Sequence, residues 1–278
     1  MSRDIGLERI VQVNGVSYYT QTRGHGEPVL LLHGFTGSAD TWNIVGSALA
    51  TDFTVITVDI LGHARTSAPS ESSRYTIEQI ASDLAQVMKA LEYSCFSCVG
   101  YSLGGRLAIA LTCLWPQQIK RLVVESGSPG LATAIERQTR QEADERLAAW
   151  LLSVGIEQFV DYWENISLFS GQRTLPLAVR QQERAIRLSH TPIGLANSLR
   201  GMGSGAQPSF WGALDQFTQP VLLLTGQSDQ KFCSIAEKMN ALIPTAWHVS
   251  IAQAGHTIHL EATQAFIQQV YRFLQTTG

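Results

Sequence analysis

The sequence of 278 residues is poor in charge and has no long apolar run. Charged residues make up 15% of the chain, and 20 basic against 23 acidic side chains give a formal charge of −3. There is no basic stripe that could follow a phosphate backbone. The longest apolar runs, such as 29–32 and 221–224, are far shorter than the roughly 20 residues of a membrane-spanning helix. These absences argue against nucleic acid as a partner and against membrane insertion.

The four cysteines do not make a recognisable metal or redox motif. Cys95 and Cys98 form a C-x-x-C, but it leads into a strand-like run instead of opening a helix, and no second pair completes a zinc site. We therefore expect reduced thiols in or near the core, no metal and no cofactor. No apolar segment of signal-peptide length follows residues 1–4, so we expect a cytoplasmic protein, as a monomer or small homo-oligomer.

Apolar residues make up 45% of the chain and recur in short β-rich runs with helical stretches between them. The predicted strands are 10–13, 16–22, 29–33, 54–59, 97–100, 121–125, 221–226 and 248–251. Amphipathic segments over 77–91 and 103–115 have apolar residues at helical spacing. This alternation predicts an α/β fold with a mostly parallel eight-stranded sheet flanked by helices, its first two strands forming an antiparallel hairpin at one edge.

The pattern changes over 128–205, where nearly eighty residues pass with helical, arginine- and glutamate-rich patterning and no convincing strand. The segment begins at a Ser-Pro-Gly and ends at a glycine cluster, 201–205, and both are loop signals. We interpret it as a helical cap inserted into a core made of 1–127 and 206–278. The glycine cluster follows a helical stretch instead of a strand, which argues against a dinucleotide site.

A G-x-S-x-G motif at 100–104 follows a predicted strand directly and precedes the helix that begins at Leu103. A sharp strand-to-helix turn would hold Ser102 above the sheet, and small neighbours would let the strand and the helix approach each other. The alternative is a plain turn. The context favours a catalytic serine that acts as a nucleophile or a base.

A serine hydroxyl is protonated at neutral pH, so it needs a neighbouring base, which in turn needs an orienting carboxylate. His256, in a short loop after the last predicted strand, is the candidate base, and His259 is its rival. Asp229 follows the penultimate strand by three residues and is the candidate carboxylate. Glu125, at the end of the strand before that, is the alternative.

Charge that develops on a substrate oxygen must be met by hydrogen-bond donors that are already in place. After a strand–serine–helix turn, one such donor is the amide of the residue after the serine, here Leu103. The second is expected from the loop that reads His-Gly-Phe-Thr-Gly at 33–37, which makes the Phe35 amide the candidate.

Arginine outnumbers lysine by sixteen to four, and eight of the arginines fall in the predicted cap. Arg106 lies four residues after Ser102, so both residues project from about the same helix face. A guanidinium there is costly unless it meets an anion, which could be an internal carboxylate or a substrate. Most cap arginines should be solvated partners of the eight acids in the same segment, but two or three facing a pocket would suit a polycarboxylate substrate.

Five strings stand out in the sequence: Leu-His-Gly-Phe-Thr-Gly-Ser at 32–38, Gly-Tyr-Ser-Leu-Gly-Gly-Arg at 100–106, Leu-Arg-Gly-Met-Gly at 199–203, Gln-Pro-Ser at 207–209 and Asp-Gln-Lys-Phe at 229–232. Together they resemble the 2-succinyl-6-hydroxy-2,4-cyclohexadiene-1-carboxylate (SHCHC) synthases of the α/β-hydrolase superfamily. The resemblance runs from about 29 to 273 and includes the cap. Gly-Gly-Arg after the serine and Leu-Arg-Gly-Met-Gly are its most selective parts.

The resemblance implies an α/β-hydrolase fold and a lyase of menaquinone or phylloquinone biosynthesis. Such an enzyme eliminates pyruvate from 2-succinyl-5-enolpyruvyl-6-hydroxy-3-cyclohexene-1-carboxylate (SEPHCHC) and leaves SHCHC. The resemblance assigns catalysis to Ser102, Asp229 and His256, binding of substrate carboxylates to Arg106, Arg140 and Arg187, and pocket-lining roles to Tyr101 and Trp163. Two departures from related sequences are Ala64, where many hydrolases of this fold have glycine, and Ser-Gly-Ser at 126–128, where some family members have Gly-Gly-His.

Two other functions fit the same motifs. An esterase, thioesterase or carbon–carbon hydrolase would use the same triad through an acyl-serine intermediate, and an apolar ester would give Arg106 nothing to bind. A non-catalytic binding protein of this fold is the other alternative. The presence of all three triad residue types argues against it.

Overall fold

The alternating sequence pattern produces one eight-stranded sheet in the computed structural model, which describes residues 6–276. Residues 1–4, on which the expectation of a cytoplasmic protein partly rests, lie outside the described residues. The strands are β1 (Leu7–Val13), β2 (Val16–Arg23), β3 (Glu27–Leu32), β4 (Phe53–Val58), β5 (Phe96–Tyr101), β6 (Ile119–Glu125), β7 (Val221–Gly226) and β8 (Ala246–Ile251). Their order is β1-β2-β4-β3-β5-β6-β7-β8, antiparallel from β1 to β2 and from β2 to β4, and parallel elsewhere. The predicted sheet and its edge hairpin are confirmed.

Helices connect the strands and cover both faces of the sheet. They are α1 (Asn43–Leu49), α2 (Ile77–Ala90), α3 (Leu103–Leu114), α4 (Ala134–Trp163), α5 (Leu177–Leu188), α6 (Pro192–Met202), α7 (Gln230–Leu242), α8 (Ile258–Glu261) and α9 (Thr263–Gln275). The amphipathic segment predicted over 77–91 begins as α2 directly after Thr76, whose hydroxyl accepts a hydrogen bond from the Gln79 amide. None of the helices in residues 6–276 is long and apolar enough to cross a membrane.

The central strands are buried on both faces because alternate side chains enter different cores. Leu30 and Leu32 of β3 belong to the cluster that α2 and α3 cover. Val29 and Leu31 belong to the cluster on the other face, which α1 and α9 cover. The strands therefore read as continuous apolar runs, and their carboxyl ends meet at one edge of the sheet.

The chain between β6 and β7 forms α4, α5 and α6, and no strand is described there. A separate apolar cluster joins α4 to α6 through residues such as Leu151, Phe159 and Leu195. A Thr133 side chain caps the start of α4 and forms a capping box with Glu136. The boundaries predicted for the cap, residues 128 and 205, stay a prediction. The regular elements described between β6 and β7 are all helical.

The cysteines depart from one expectation. Cys98 lies in β5 and is buried, whereas Cys95 is exposed in the turn before that strand. The expectation that all four thiols lie in or near the core is therefore wrong for Cys95. β5 begins between the two cysteines, so Cys98 is buried within the sheet while Cys95 stays in the exposed turn before it.

Candidate active site

Ser102 occupies a strained turn between β5 and α3. Its backbone has φ 51° and ψ −106°, a conformation that a residue with a side chain rarely adopts. The turn is possible because Gly100 and Gly104 pack closely: a Cβ on Gly104 would lie 2.1 Å from the Leu32 carbonyl oxygen, and one on Gly100 would lie 2.2 Å from the Gly104 oxygen. The Ser102 amide donates to the Glu125 carbonyl oxygen at 2.8 Å, which ties the turn to β6.

A chain of hydrogen bonds joins the three residues that the sequence predicts for catalysis. The Nε2 atom of His256 lies 3.1 Å from the Ser102 hydroxyl, and its Nδ1 atom lies 2.6 Å from a carboxylate oxygen of Asp229. Asp229 follows β7 and caps α7, and His256 lies in the loop after β8. With Nδ1–H donating to Asp229, the lone pair of Nε2 points to the serine and can accept its proton.

The two rival residues form a pair of their own. Nδ1 of His259 lies 2.9 Å from both carboxylate oxygens of Glu125, and the His259 amide donates to the same carboxylate at 3.0 Å. Both side chains are buried, and the His259 ring packs against Trp42 and Tyr101. Neither residue lines the cavity into which Ser102 opens. Glu125 and His259 therefore fix the region behind Tyr101 instead of activating the serine.

The two amides predicted to stabilise an oxyanion both border the serine. Within residues 6–276, neither the Phe35 nor the Leu103 amide donates a hydrogen bond to a protein acceptor. Leu103 begins α3, where the first amides have no acceptor in a preceding turn and the helix dipole favours negative charge. His33 anchors the loop that contains Phe35, because its Nε2 accepts a hydrogen bond from the Ile60 amide at 2.9 Å.

Ser102 opens into a cavity of about 870 Å³ between the sheet edge and the helices that follow β6. The sequence-predicted residues that line it are Phe35, Tyr101, Ser102, Leu103, Arg106, Arg140, Trp163 and His256. Asp229 does not line this cavity and lies behind His256, to which it is hydrogen-bonded. Trp163 packs edge-on against Phe35 at 5.2 Å and stacks on Phe159 at 5.6 Å, so an aromatic wall faces the serine.

Comparison with known proteins gives the family. A family model described as the alpha/beta hydrolase fold matches residues 27–263. A Bacillus subtilis (strain 168) protein, provisionally named 2-succinyl-6-hydroxy-2,4-cyclohexadiene-1-carboxylate synthase, is 41% identical over 272 residues, which are 97% of this chain and 99% of that protein. The chain belongs to the SHCHC synthase family of the α/β hydrolase fold.

Other members of the SHCHC synthase family are more distant. The synthase of Yersinia pestis bv. Antiqua (strain Nepal516) is 30% identical over 91% of this chain and 90% of its own length. The solved structure of MenH from S. aureus superposes with a TM-score of 0.88 at 31% identity, and the match covers 92% of this chain and 97% of that one. The resemblance and the fold predicted from the sequence are therefore confirmed.

The family-selective strings of the sequence converge on Arg106. Its Nη1 donates to the Met202 carbonyl oxygen at 2.6 Å and to the Gln207 amide oxygen at 2.8 Å. No carboxylate of the described residues lies within 4.0 Å of its guanidinium, so the internal ion pair considered from the sequence is not formed there. Burial and the positive charge of Arg140 lower the pKa of Arg106 to about 10, which leaves it charged at neutral pH.

Arg140 reaches the cavity from α4. Its Nε donates to a carboxylate oxygen of Asp144 at 2.7 Å, one turn further along the helix. Burial raises the pKa of Asp144, against the effect of Arg140 and Arg106. The Arg140 side chain lines the cavity and is 44% exposed, so it is accessible to a ligand there.

Arg187 lies elsewhere in this member of the SHCHC synthase family. It is buried in α5, donates to the Gln172 amide oxygen at 2.7 Å and lies over the Phe169 ring at 5.4 Å. Phe169 lines the main cavity, whereas Arg187 does not. The structure therefore brings two of the three predicted arginines to the cavity wall. The substrate-binding role of Arg187 stays a prediction.

Some cavity residues were not predicted from the sequence. Phe232 packs against the His256 ring at 4.7 Å, and Lys231 and Lys238 line the cavity from α7. The string Asp-Gln-Lys-Phe at 229–232 was part of the family resemblance, but no role was assigned to its last two residues. Within residues 6–276, no group of three or more histidine, cysteine or acidic side chains is arranged to hold a metal ion.

Proposed function

We propose that this enzyme is an SHCHC synthase, a carbon–oxygen lyase that eliminates pyruvate from SEPHCHC. The observation that carries the proposal is the hydrogen-bonded Ser102, His256 and Asp229 opening into the same cavity as Arg106 and Arg140. SEPHCHC has carboxylates on its ring, its succinyl arm and its enolpyruvyl group. Arg106 has no carboxylate partner in the protein, so its buried charge carries a desolvation cost. Hydrogen bonds to a substrate carboxylate would offset that cost in the complex.

The first step of the proposed reaction removes the proton at ring C2, next to the succinyl ketone. His256 takes the hydroxyl proton of Ser102, and the serine oxygen takes the C2 proton. Asp229 holds the imidazole in the required tautomer and stabilises its protonated form. The Phe35 and Leu103 amides donate to the ketone oxygen as it becomes an enolate oxygen.

The second step breaks the carbon–oxygen bond at ring C5. The electron pair from C2 forms the C2–C3 double bond, the C3–C4 pair moves to C4–C5, and the enolpyruvyl oxygen leaves C5. The leaving group takes up a proton and becomes pyruvate, while the ring becomes the 2,4-diene of SHCHC. No water is consumed, so the reaction is an elimination and the serine acts as a base.

A hydrolase using the same triad would instead pass through an acyl-serine. The base mechanism predicts that Ser102 gains no mass when the enzyme is quenched during turnover of SEPHCHC. Intact-protein mass spectrometry measures this directly, and p-nitrophenyl acetate serves as the control for a reagent that can acylate a serine. An adduct of SEPHCHC on Ser102 would favour the hydrolase.

The activity itself is tested by pyruvate release from SEPHCHC, coupled to lactate dehydrogenase, together with diene absorbance. We expect Ser102→Ala to lower kcat by about 10³-fold or more, because the serine is the base. Arg106→Gln should lower kcat/KM by about 10- to 100-fold through a lost charge-assisted hydrogen bond. Arg272→Gln, exposed on α9, is the matched control. Cleavage of simple esters without pyruvate release would contradict the proposed reaction.

A further inference from the structure

One face of α7 forms part of the cavity wall. The residues on it are Lys231, Ser234, Ile235, Lys238, Ala241 and Leu242. Their spacing of three and four residues places them along one side of the helix. The chain has only four lysines, so half of them stand in this one cavity.

Neither α7 lysine forms an ion pair within 4.0 Å among residues 6–276, but after the hydrogen bonds from Thr133 the charge of Lys238 helps to lower the pKa of Glu136. Neither ammonium lies within 4.0 Å of an acidic oxygen in the described structure, whereas Lys120 pairs with Glu27 on the surface. Lys231 lies beside Phe232, whose ring centre is 5.5 Å from the ammonium nitrogen and which packs on His256. The Phe232 ring therefore lies between the first lysine of the face and His256.

The cavity carries more positive than negative charge. Its cations are Arg106, Arg140, Lys231 and Lys238, and its one acidic lining residue is Glu136. The Glu136 carboxylate already accepts hydrogen bonds from the Thr133 amide at 2.9 Å and the Thr133 hydroxyl at 2.8 Å, as the cap of α4. Concave walls of one sign concentrate the field, so the cavity as a whole attracts a multiply charged anion.

The main cavity has fewer arginines than SEPHCHC has carboxylates. Arg106 and Arg140 line it, while Arg187 lies beside it against Gln172 and Phe169. Another pair of cations is available in the same space, on α7.

We infer that Lys231 and Lys238 form a subsite for one of the substrate carboxylates, beside the two arginines of the same cavity. The inference rests on the proposed function. Seven residues separate the lysines, which is about 10 Å along the helix axis. Their flexible four-carbon stems can converge between those positions, and Ser234 lies there with a hydroxyl that can donate to the same carboxylate.

The subsite is tested by binding in a variant that cannot turn the substrate over. The dissociation constant of SEPHCHC is measured by calorimetry for Ser102→Ala alone and combined with Lys231→Gln, Lys238→Gln or both. We expect each lysine change to raise Kd by about tenfold, since each removes a charge-assisted hydrogen bond, and the double change to raise it further. Lys89→Gln, on the exposed side of α2, is the matched control and should leave Kd within twofold.

Steady-state kinetics of the same changes in the active enzyme gives a second readout. Lys231→Gln and Lys238→Gln should raise KM more than they lower kcat, because a carboxylate held away from C2 is bound alike before and during proton removal. A Kd within twofold of the parent for both lysine variants would overturn the subsite. Failure of the wild-type enzyme to release pyruvate would overturn the proposed function instead, and the binding comparison would still judge the lysines.

Discussion

At the scale of single residues, two carboxylates at or just after the ends of neighbouring parallel strands each hold a histidine. Asp229 holds His256, and Glu125 holds His259. The pairs have the same chemistry, and what separates them is that only His256 reaches the Ser102 hydroxyl. Position relative to the serine therefore decides which pair can take part in proton transfer.

Replacing each carboxylate by its amide separates the two pairs. Asp229→Asn should lower kcat for pyruvate release by about 10³- to 10⁴-fold, because an amide favours the wrong imidazole tautomer. Glu125→Gln should lower kcat by less than fivefold and should lower the thermal unfolding temperature instead, because its pair is buried behind Tyr101. Equal losses of kcat in both variants would mean that the assignment of the triad is wrong.

Residues at fixed distances from strand ends could be predicted from the sequence, and residues on helix faces could not. Ser102, Asp229 and His256 each follow a strand closely, so the parallel sheet brings them to one edge whatever the helices do. Whether Arg187 or Lys231 faces the cavity depends on how a helix is rotated against its neighbours. That rotation depends on the side chains packed against the helix, and a single sequence does not show which side chains those are.

At the scale of elements, β3, β5 and α3 meet at the serine turn with no spare volume. The helix approaches the sheet so closely that Gly104 lies against the main chain at Leu32, and a main-chain neighbour cannot rotate away as a side chain can. The close approach is what keeps Ser102 in its left-handed conformation.

Adding one methyl group at this contact should therefore destabilise the whole domain. Gly104→Ala would place a Cβ 2.1 Å from the Leu32 oxygen, and we expect the free energy of unfolding to fall by at least about 2 kcal/mol. Gly212→Ala is the matched control, since a Cβ there meets nothing within 4 Å, and it should change stability by less than about 0.5 kcal/mol. Urea denaturation measures both, and equal stabilities of the two variants would refute the packing argument.

The strands and the helices that flank them were easier to predict than the helices after β6. Central strands such as β4 read as apolar runs, and α2 shows clear helical periodicity. α4 has a weak amphipathic pattern because it faces solvent, α6 and the cavity at different points, and a residue with φ 81°, Gly155, breaks it internally. Its presence could be predicted from composition, but its path could not.

At the scale of the whole molecule, three buried histidines join the sheet loops to the helices after β6. The His33 and His63 rings are 5.1 Å apart, and the His63 and His190 rings are 5.4 Å apart. His190 lies between α5 and α6, accepts from the Ala64 amide at 2.8 Å and donates to the Thr36 carbonyl oxygen at 2.9 Å. Both partners have positive φ, so one neutral ring holds two strained loops, one of them next to Phe35.

This cluster makes stability depend on pH. Burial lowers the pKa of His33 to about 3 and lowers the pKa values of His63 and His190. Well above pH 6.5 both the folded and unfolded states carry neutral imidazoles, and the cluster has little effect on stability. As pH falls from 6.5, the unfolded chain binds protons that the folded protein excludes, so the free energy of unfolding decreases by roughly 1 kcal/mol per histidine between pH 6.5 and 5.5.

Urea denaturation at pH 7.5, 6.5 and 5.5 measures this loss. His190→Gln keeps a donor for the Thr36 oxygen but has no ionisable ring, so it should reduce the loss between pH 6.5 and 5.5 by about 1 kcal/mol, the share of one histidine. An unfolding free energy that is equal at pH 7.5 and 5.5 in the wild-type protein would show that the cluster accepts protons while folded.

The placement of the lysines has a practical consequence for anyone who labels or immobilises this protein. All four lysines are exposed, and two of them line the cavity, so an amine-reactive dye will modify the cavity as well as the outer surface. Coupling through Cys95, an exposed thiol at the turn before β5, uses a different chemistry and spares both α7 lysines. The protein is better attached by a maleimide than by an ester of N-hydroxysuccinimide.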